Sequence, residues 1–157
     1  MNINNKYPIW ERYLKSIGES IELTKRRYVS VEHFCYEKQA ADKLYELVIL
    51  GVKTATCGSL WMYQYENEPI LKEGDLTILT NYDETRMCII KTEKVIIKAF
   101  NEITPEEAKK EGEGDLSLEY WRKVHKAFFE DECKTMNKEF IETMPVVFEE
   151  FTIEYKE

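Results

Sequence analysis

No stretch of the sequence approaches the roughly 20 consecutive apolar residues that cross a bilayer, so no membrane span is expected. The first residues, MNINNKYPIWERYLK, lack the basic-then-apolar pattern of a secretory leader, and the cytoplasm is the expected compartment. The four cysteines, Cys35, Cys57, Cys88 and Cys133, are far apart and make no C-x-x-C pair. That spacing carries no zinc signature and predicts free thiols in a reducing compartment. There is no internal repeat, no low-complexity tract and no Pro/Gly/Ser-rich linker. Basic clusters are equally scarce: Lys25-Arg26-Arg27 stands alone in a chain of net charge −8. Phosphate neutralisation supplies most of the affinity of general nucleic-acid binders. Indiscriminate coating of RNA or DNA is therefore excluded, whereas a single nucleotide or short local element in a focused pocket is not.

What is present suffices for one folded unit. A chain of 157 residues can bury about two-thirds of its unfolded surface without help from a metal or disulfide. With 43% hydrophobic residues it is too apolar for disorder. Ile9, Trp10, Tyr13, Leu14 and Ile17 recur at helical spacing and predict a helix over 6–17. Tyr28–Tyr36 is β-branched and aromatic, as strands are. Lys38–Leu50 carries an apolar face of Ala40, Ala41, Leu44, Leu47 and Val48, with Gly51 as its C-cap. Thr54–Tyr65 reads as at least partly extended. A turn at Lys72–Asp75 leads into a strand over Leu76–Thr80, and Met87–Ile90 and Val95–Phe100 read as two more. Thr104-Pro105-Glu106-Glu107 is a complete helix start. Gly112 ends that helix, and Asp115 or Ser117 caps the next, which runs to about Cys133. Val146–Tyr155 is a closing strand. Strands that follow one another without helical crossovers predict an α+β fold with a mainly antiparallel, curled sheet, not a doubly wound one.

Three constellations can carry chemistry. The first is Gly51-Val52-Lys53-Thr54-Ala55-Thr56-Cys57-Gly58. It is not a phosphate-binding P-loop, because Val52 rather than Gly precedes Lys53 and Glu46 stands where the first Gly belongs. Residues three apart on a regular strand point to opposite faces, so Lys53 and Thr56 can cooperate only if the chain turns between them. Otherwise Lys53 lies on the surface and Thr56 in a strand. The second is Glu111-Gly112-Glu113-Gly114-Asp115, which fails as a calcium loop at Leu116 and Arg122. It is either a solvated loop or a source of carboxylates over a pocket. The third is aromatic. Trp61 is a candidate pocket wall for stacking on a base, whereas Trp121 and Phe128 have the helical spacing of core residues. His125 lies on the same face as Trp121 and reads as a satisfied core histidine, and His33 has no recognisable partner.

These pieces, in order, resemble a known family. AADKLYELVILG runs into GVKTATCGSLW, then KEGD and a strand, then ITPEEAKKEGEGDLSLEYWRKVHKAFF and a final strand. The chain is similar to ASCH-domain proteins of the bacterial stand-alone type over roughly residues 29–155. The resemblance implies a single PUA-like domain, a small curled β-barrel flanked by helices, with 1–28 as a helical extension. It also implies a cleft beside the Gly-x-Lys-x-x-Thr segment. Some members are amidohydrolases that deacylate acetylated cytidine; others are described as RNA-binding modules or ribonucleases.

In the hydrolases a Lys, a Thr three residues later and a downstream Glu form the site. They match Lys53, Thr56 and Glu111, with Glu113 as the alternative carboxylate. Small hydrolase members carry Arg two residues after the Thr, where this chain has Gly58. The implied ligand is a small nucleoside-like molecule or a short RNA element. Thr54, Cys57, Gly58, Trp61 and Glu113 are expected around it, and no metal or organic cofactor is expected. In the mechanism expected, Thr56 attacks, Lys53 acts as base if burial favours its neutral form, and loop amides near Cys57 and Gly58 hold the oxyanion.

Overall fold

Pro8 opens helix α1 (Pro8–Ser16), which buries Ile9, Trp10, Tyr13 and Leu14 along one stripe. The computed structural model describes residues 6–20, 22 and 29–157; the Lys25-Arg26-Arg27 cluster and Tyr28 lie outside the described residues. The remaining elements are β1 (Val29–Glu32), α2 (Lys38–Ile49), β2 (Ala55–Ser59), α3 (Leu60–Glu66), β3 (Leu76–Thr80), β4 (Met87–Ala99), α4 (Pro105–Lys110), α5 (Leu118–Thr135) and β5 (Pro145–Tyr155). A 3-10 turn, Phe100–Glu102, follows β4. Among the described residues no helix is long and apolar enough to cross a membrane.

The five strands form one sheet in the order β1-β3-β4-β5-β2. Only the β1–β3 pair is parallel. Strand β3 is buried at every position because both of its faces are covered. Leu76 and Ile78 pack under α1, while Leu79 packs with Tyr45 and Val48 of α2. A third cluster joins β2 and β5 to α5 through Ala55, Phe148, Trp121 and Phe129.

The edge strands β1 and β2 are not paired with each other, so the described strands do not close a barrel. Both nevertheless line one cavity, through Val31 and Glu32 on one side and Thr56–Ser59 on the other. The sheet therefore curls far enough to bring its two edges face to face.

Three local expectations change. The stretch after Thr54 is a strand only to Ser59. There the Ser59 hydroxyl accepts from the Met62 amide and starts α3, which Asn67 ends in a left-handed conformation. Met87–Ile90 and Val95–Phe100 are parts of one strand; register shifts between Ile89 and Ile90 and between Thr92 and Lys94 absorb the polar interruption. The strand expected over Tyr28–Tyr36 stops at Glu32, and Cys35 sits at φ 69° in the bend that follows.

Candidate active site

The segment after α2 turns Lys53 inward. Gly51 adopts φ 72°, which favours glycine, and the amides of Val52 and Lys53 both donate to the Leu47 carbonyl. Thr54 N then donates to Lys110 O, and Phe151 N to Thr54 O, tying this segment to α4 and β5. Gly112 presses on the same turn at φ 72°; a Cβ there would lie 2.5 Å from the Val52 carbonyl oxygen. Gly112→Ala is thus expected to lower stability by about 1–3 kcal/mol. Thermal unfolding checks this, and an unchanged midpoint would contradict the close approach.

Lys53 ends up 2% exposed. Its Nζ donates to Ala55 O at 2.8 Å, Glu111 Oε2 at 3.2 Å and Glu113 Oε1 at 3.3 Å. It also lies 5.2 Å from the Phe34 ring centroid. Three acceptors match the three protons of an ammonium; a neutral amine has only two. Lys53 precedes β2, in the turn that leaves α2, so strand parity does not separate it from Thr56, and both residues line the cavity.

Glu111, 1% exposed, follows the last turn of α4 as its C-cap. Its Oε1 accepts from Trp121 Nε1 at 2.8 Å, and its Oε2 faces His125 Nε2 at 3.2 Å. His125 Nδ1 lies 2.9 Å from the Trp121 carbonyl oxygen, which can only accept, so that nitrogen carries a proton. Nε2 faces a carboxylate oxygen, so the geometry is that of a doubly protonated imidazolium.

The charges agree with this. Burial alone would raise the Glu111 carboxyl, but His125 and Lys53, with hydrogen bonds from His125 and Trp121, hold it down at about 2. Burial opposes the charging of His125, yet Glu111 outweighs it and raises the histidine above its ordinary value. The imidazole also stacks on Trp121, with centroids 4.2 Å apart. Two cations and two carboxylates thus form a balanced, enclosed centre.

The cavity beside this centre measures about 530 Å³. Its lining is rich in carboxyls, with Glu32, Glu66, Glu68, Glu132 and Glu149 among the residues that face it. Burial and the charges of Glu149 and Glu68 push Glu32 up to about 7, against a hydrogen bond from Thr77. Burial also raises Glu149, against the Thr92 hydroxyl, which donates to it at 2.7 Å. Burial lifts the Cys57 thiol well above the ordinary value, so it is no thiolate nucleophile.

Of the residues singled out from sequence, Lys53, Thr56, Cys57, Gly58, Glu111 and Glu113 line this one cavity. Both candidate carboxylates reach Lys53. Two expected contacts are corrected. Thr54 is exposed, with its hydroxyl donating to Lys110 O. Trp61 does not line the cavity, because the unexpected helix α3 turns it toward the Cys133–Met136 cluster, where Lys138 lies over its ring. Cys57 and Gly58 lie in β2 rather than in a loop. The place of an added side chain at Gly58 is taken by Tyr63, whose ring carbon lies 3.2 Å from where a Cβ would be.

Phe128 lines the cavity instead of sitting wholly in the core, and His125 is a site group as well as a buried one. Its place in the W-R-x-x-H pattern beside the acidic loop was the available signal. Glu32, Glu132 and Glu149 carried none, being ordinary glutamates in strands and a helix.

Ligand-type atoms of Glu111, Glu113 and His125 lie within 4.8 Å of one another. A cation there would collide with the Lys53 ammonium and would need the His125 Nε2 lone pair. These residues, as arranged, do not fit a resident metal.

The site thus sits in an α+β protein whose curled, mainly antiparallel sheet shares one cavity between its two edges, with a buried lysine in the lining. The ASCH domain family model matches residues 30–155, and the chain belongs to that family. It is 32% identical to an ASCH domain from Lactobacillus crispatus whose crystal structure superposes with a TM-score of 0.86, covering 96% of this chain and 94% of that one. It is 28% identical to a protein from Enterococcus faecalis, with a TM-score of 0.84 over 96% of this chain and 88% of the other. The comparison with curated proteins gives no match.

Proposed function

We propose that the cavity hydrolyses the amide of a small acylated nucleoside or a related N-acyl amine. The observation that carries this reading is that Thr56 lines the same cavity as the buried Lys53–Glu111–Glu113 centre. Thr56 Oγ attacks the acyl carbon. Lys53 is already a three-donor ammonium, so it stabilises the developing oxyanion electrostatically instead of acting as the base. This replaces the role expected from sequence.

Glu111 is saturated by Trp121, His125 and Lys53. Glu113 binds Lys53 through one oxygen, keeps 18% of its side chain exposed and lines the cavity with Thr56; in this scheme it is the carboxylate that receives the Thr56 proton. The C–N bond breaks, Glu113 passes that proton to the leaving nitrogen, and an acyl-Thr56 ester remains. Water then cleaves the ester, again losing its proton to Glu113 and restoring the hydroxyl. The outward amides of the edge strand around Thr56–Gly58 are the oxyanion donors in this scheme. No metal or organic cofactor enters it.

A non-catalytic module for a nucleotide or short RNA element is the second reading, and the family match is what favours it. Against it stand the acidic lining of the cavity and the −8 charge, which repel phosphate. A ribonuclease has less support still, since both ring nitrogens of His125 are engaged. Chromatography of acetylated cytidine incubated with the protein tests the proposal. Cytidine should accumulate with the native protein and not with Lys53→Met. Binding without product from any acylated nucleoside would favour the module.

A further inference from the structure

We propose that Glu132 and the stacked Tyr36–Phe128 pair form a subsite for a positively charged amino group, so that the cavity takes an amine-bearing ligand in preference to a phosphorylated one. As a statement about substrate this rests on the amidohydrolase reading; as a statement about binding it does not.

Glu132 projects from α5, is 8% exposed and lines the cavity. The Tyr36 hydroxyl donates to its Oε1 at 3.3 Å. Its Oε2 is buried and has no hydrogen-bond partner among the described residues. A buried carboxylate oxygen without a donor is costly, and a ligand ammonium supplies both the donor and the countercharge. Burial, partly offset by the Tyr36 hydrogen bond and reinforced by the charge of Glu66, pushes this carboxyl up to about 7, the behaviour of an acid lacking its cation.

The Tyr36 ring lies parallel to Phe128 with centroids 5.7 Å apart, and Tyr36 is 64% exposed. An aromatic face beside a carboxylate is the usual cradle of an organic cation. The cationic side chains of the lining, Lys53 and His125, are already paired with Glu111 and Glu113. A phosphate there would meet carboxylates, with Lys53 and His125 already committed and His33 tied through Nδ1 to the Cys35 carbonyl oxygen.

The test is an NMR titration at pH 8 with benzylamine and with benzyl alcohol, which keeps the ring and drops the charge. The native protein should bind benzylamine about tenfold more tightly, and Glu132→Gln should remove that preference. Equal binding of the two compounds by the native protein overturns the subsite, and that comparison needs no variant. A preference that survives Glu132→Gln also overturns it. Neither readout depends on turnover, so loss of the hydrolase reading would leave the amine preference standing.

Discussion

Glu111→Gln is expected to lower the unfolding free energy by about 3–5 kcal/mol and the melting temperature by roughly 10 °C. One carboxylate here accepts from Trp121, His125 and Lys53. An amide offers one acceptor oxygen in place of two, carries no charge to balance Lys53, and finds an acceptor for its own donors at His125 only if that ring gives up its Nε2 proton. The loss has a pH signature. The folded Glu111 carboxyl sits at about 2, below its ordinary 4.5. Its contribution is therefore present above about pH 4.5 and is lost as pH falls through 2. His125, raised by Glu111, works the other way: its share is complete below its ordinary 6.5 and is lost as pH rises through the folded value. Urea unfolding from pH 2 to 8 should show a steep acid limb for the native protein and a shallow one for Glu111→Gln. A variant within about 1 kcal/mol of native at neutral pH would mean that the buried centre is not held through Glu111.

Thr56→Val should reduce turnover of an acylated nucleoside by about 10³-fold or more while changing stability by less than about 1 kcal/mol. Valine keeps the β-branched shape that suits strand β2. The Thr56 hydroxyl makes no side-chain hydrogen bond among the described residues, so no fold contact goes with it. The contrast with Glu111→Gln separates a group that reacts from one that holds the site together. Circular dichroism beside the kinetics checks both halves.

Local signals marked much of this in advance. The Thr104–Glu107 capping box is present as read; α2 ends at Ile49 with Gly51 in the left-handed conformation just beyond it. Both depend on contacts within a few residues, which a sequence displays directly. Helix α3 departs from the partly extended reading of Thr54–Tyr65 because Leu60–Glu66 is rich in aromatics that suit strands equally well. Its Ser59 cap and Asn67 terminator were the signals available.

The parallel pairing of β1 with β3, 47 residues apart along the chain at Val29 and Leu76, has no local signature at all. The site divides the same way. The Lys53 and Thr56 pattern and the two loop carboxylates could be named from the sequence. The burial of Lys53 could not, because it depends on Gly112 packing against Val52 from 60 residues away. The charged His125–Glu111 contact joins α5 to the end of α4, so it too becomes visible only once the helices are placed.

The most direct test is release of cytidine from acetylated cytidine, followed for the native protein beside a folded Thr56→Val. Turnover by the native protein that the variant loses is the predicted result. Undiminished turnover by Thr56→Val, or none by the native protein across acylated nucleosides and acylated amines, would contradict it.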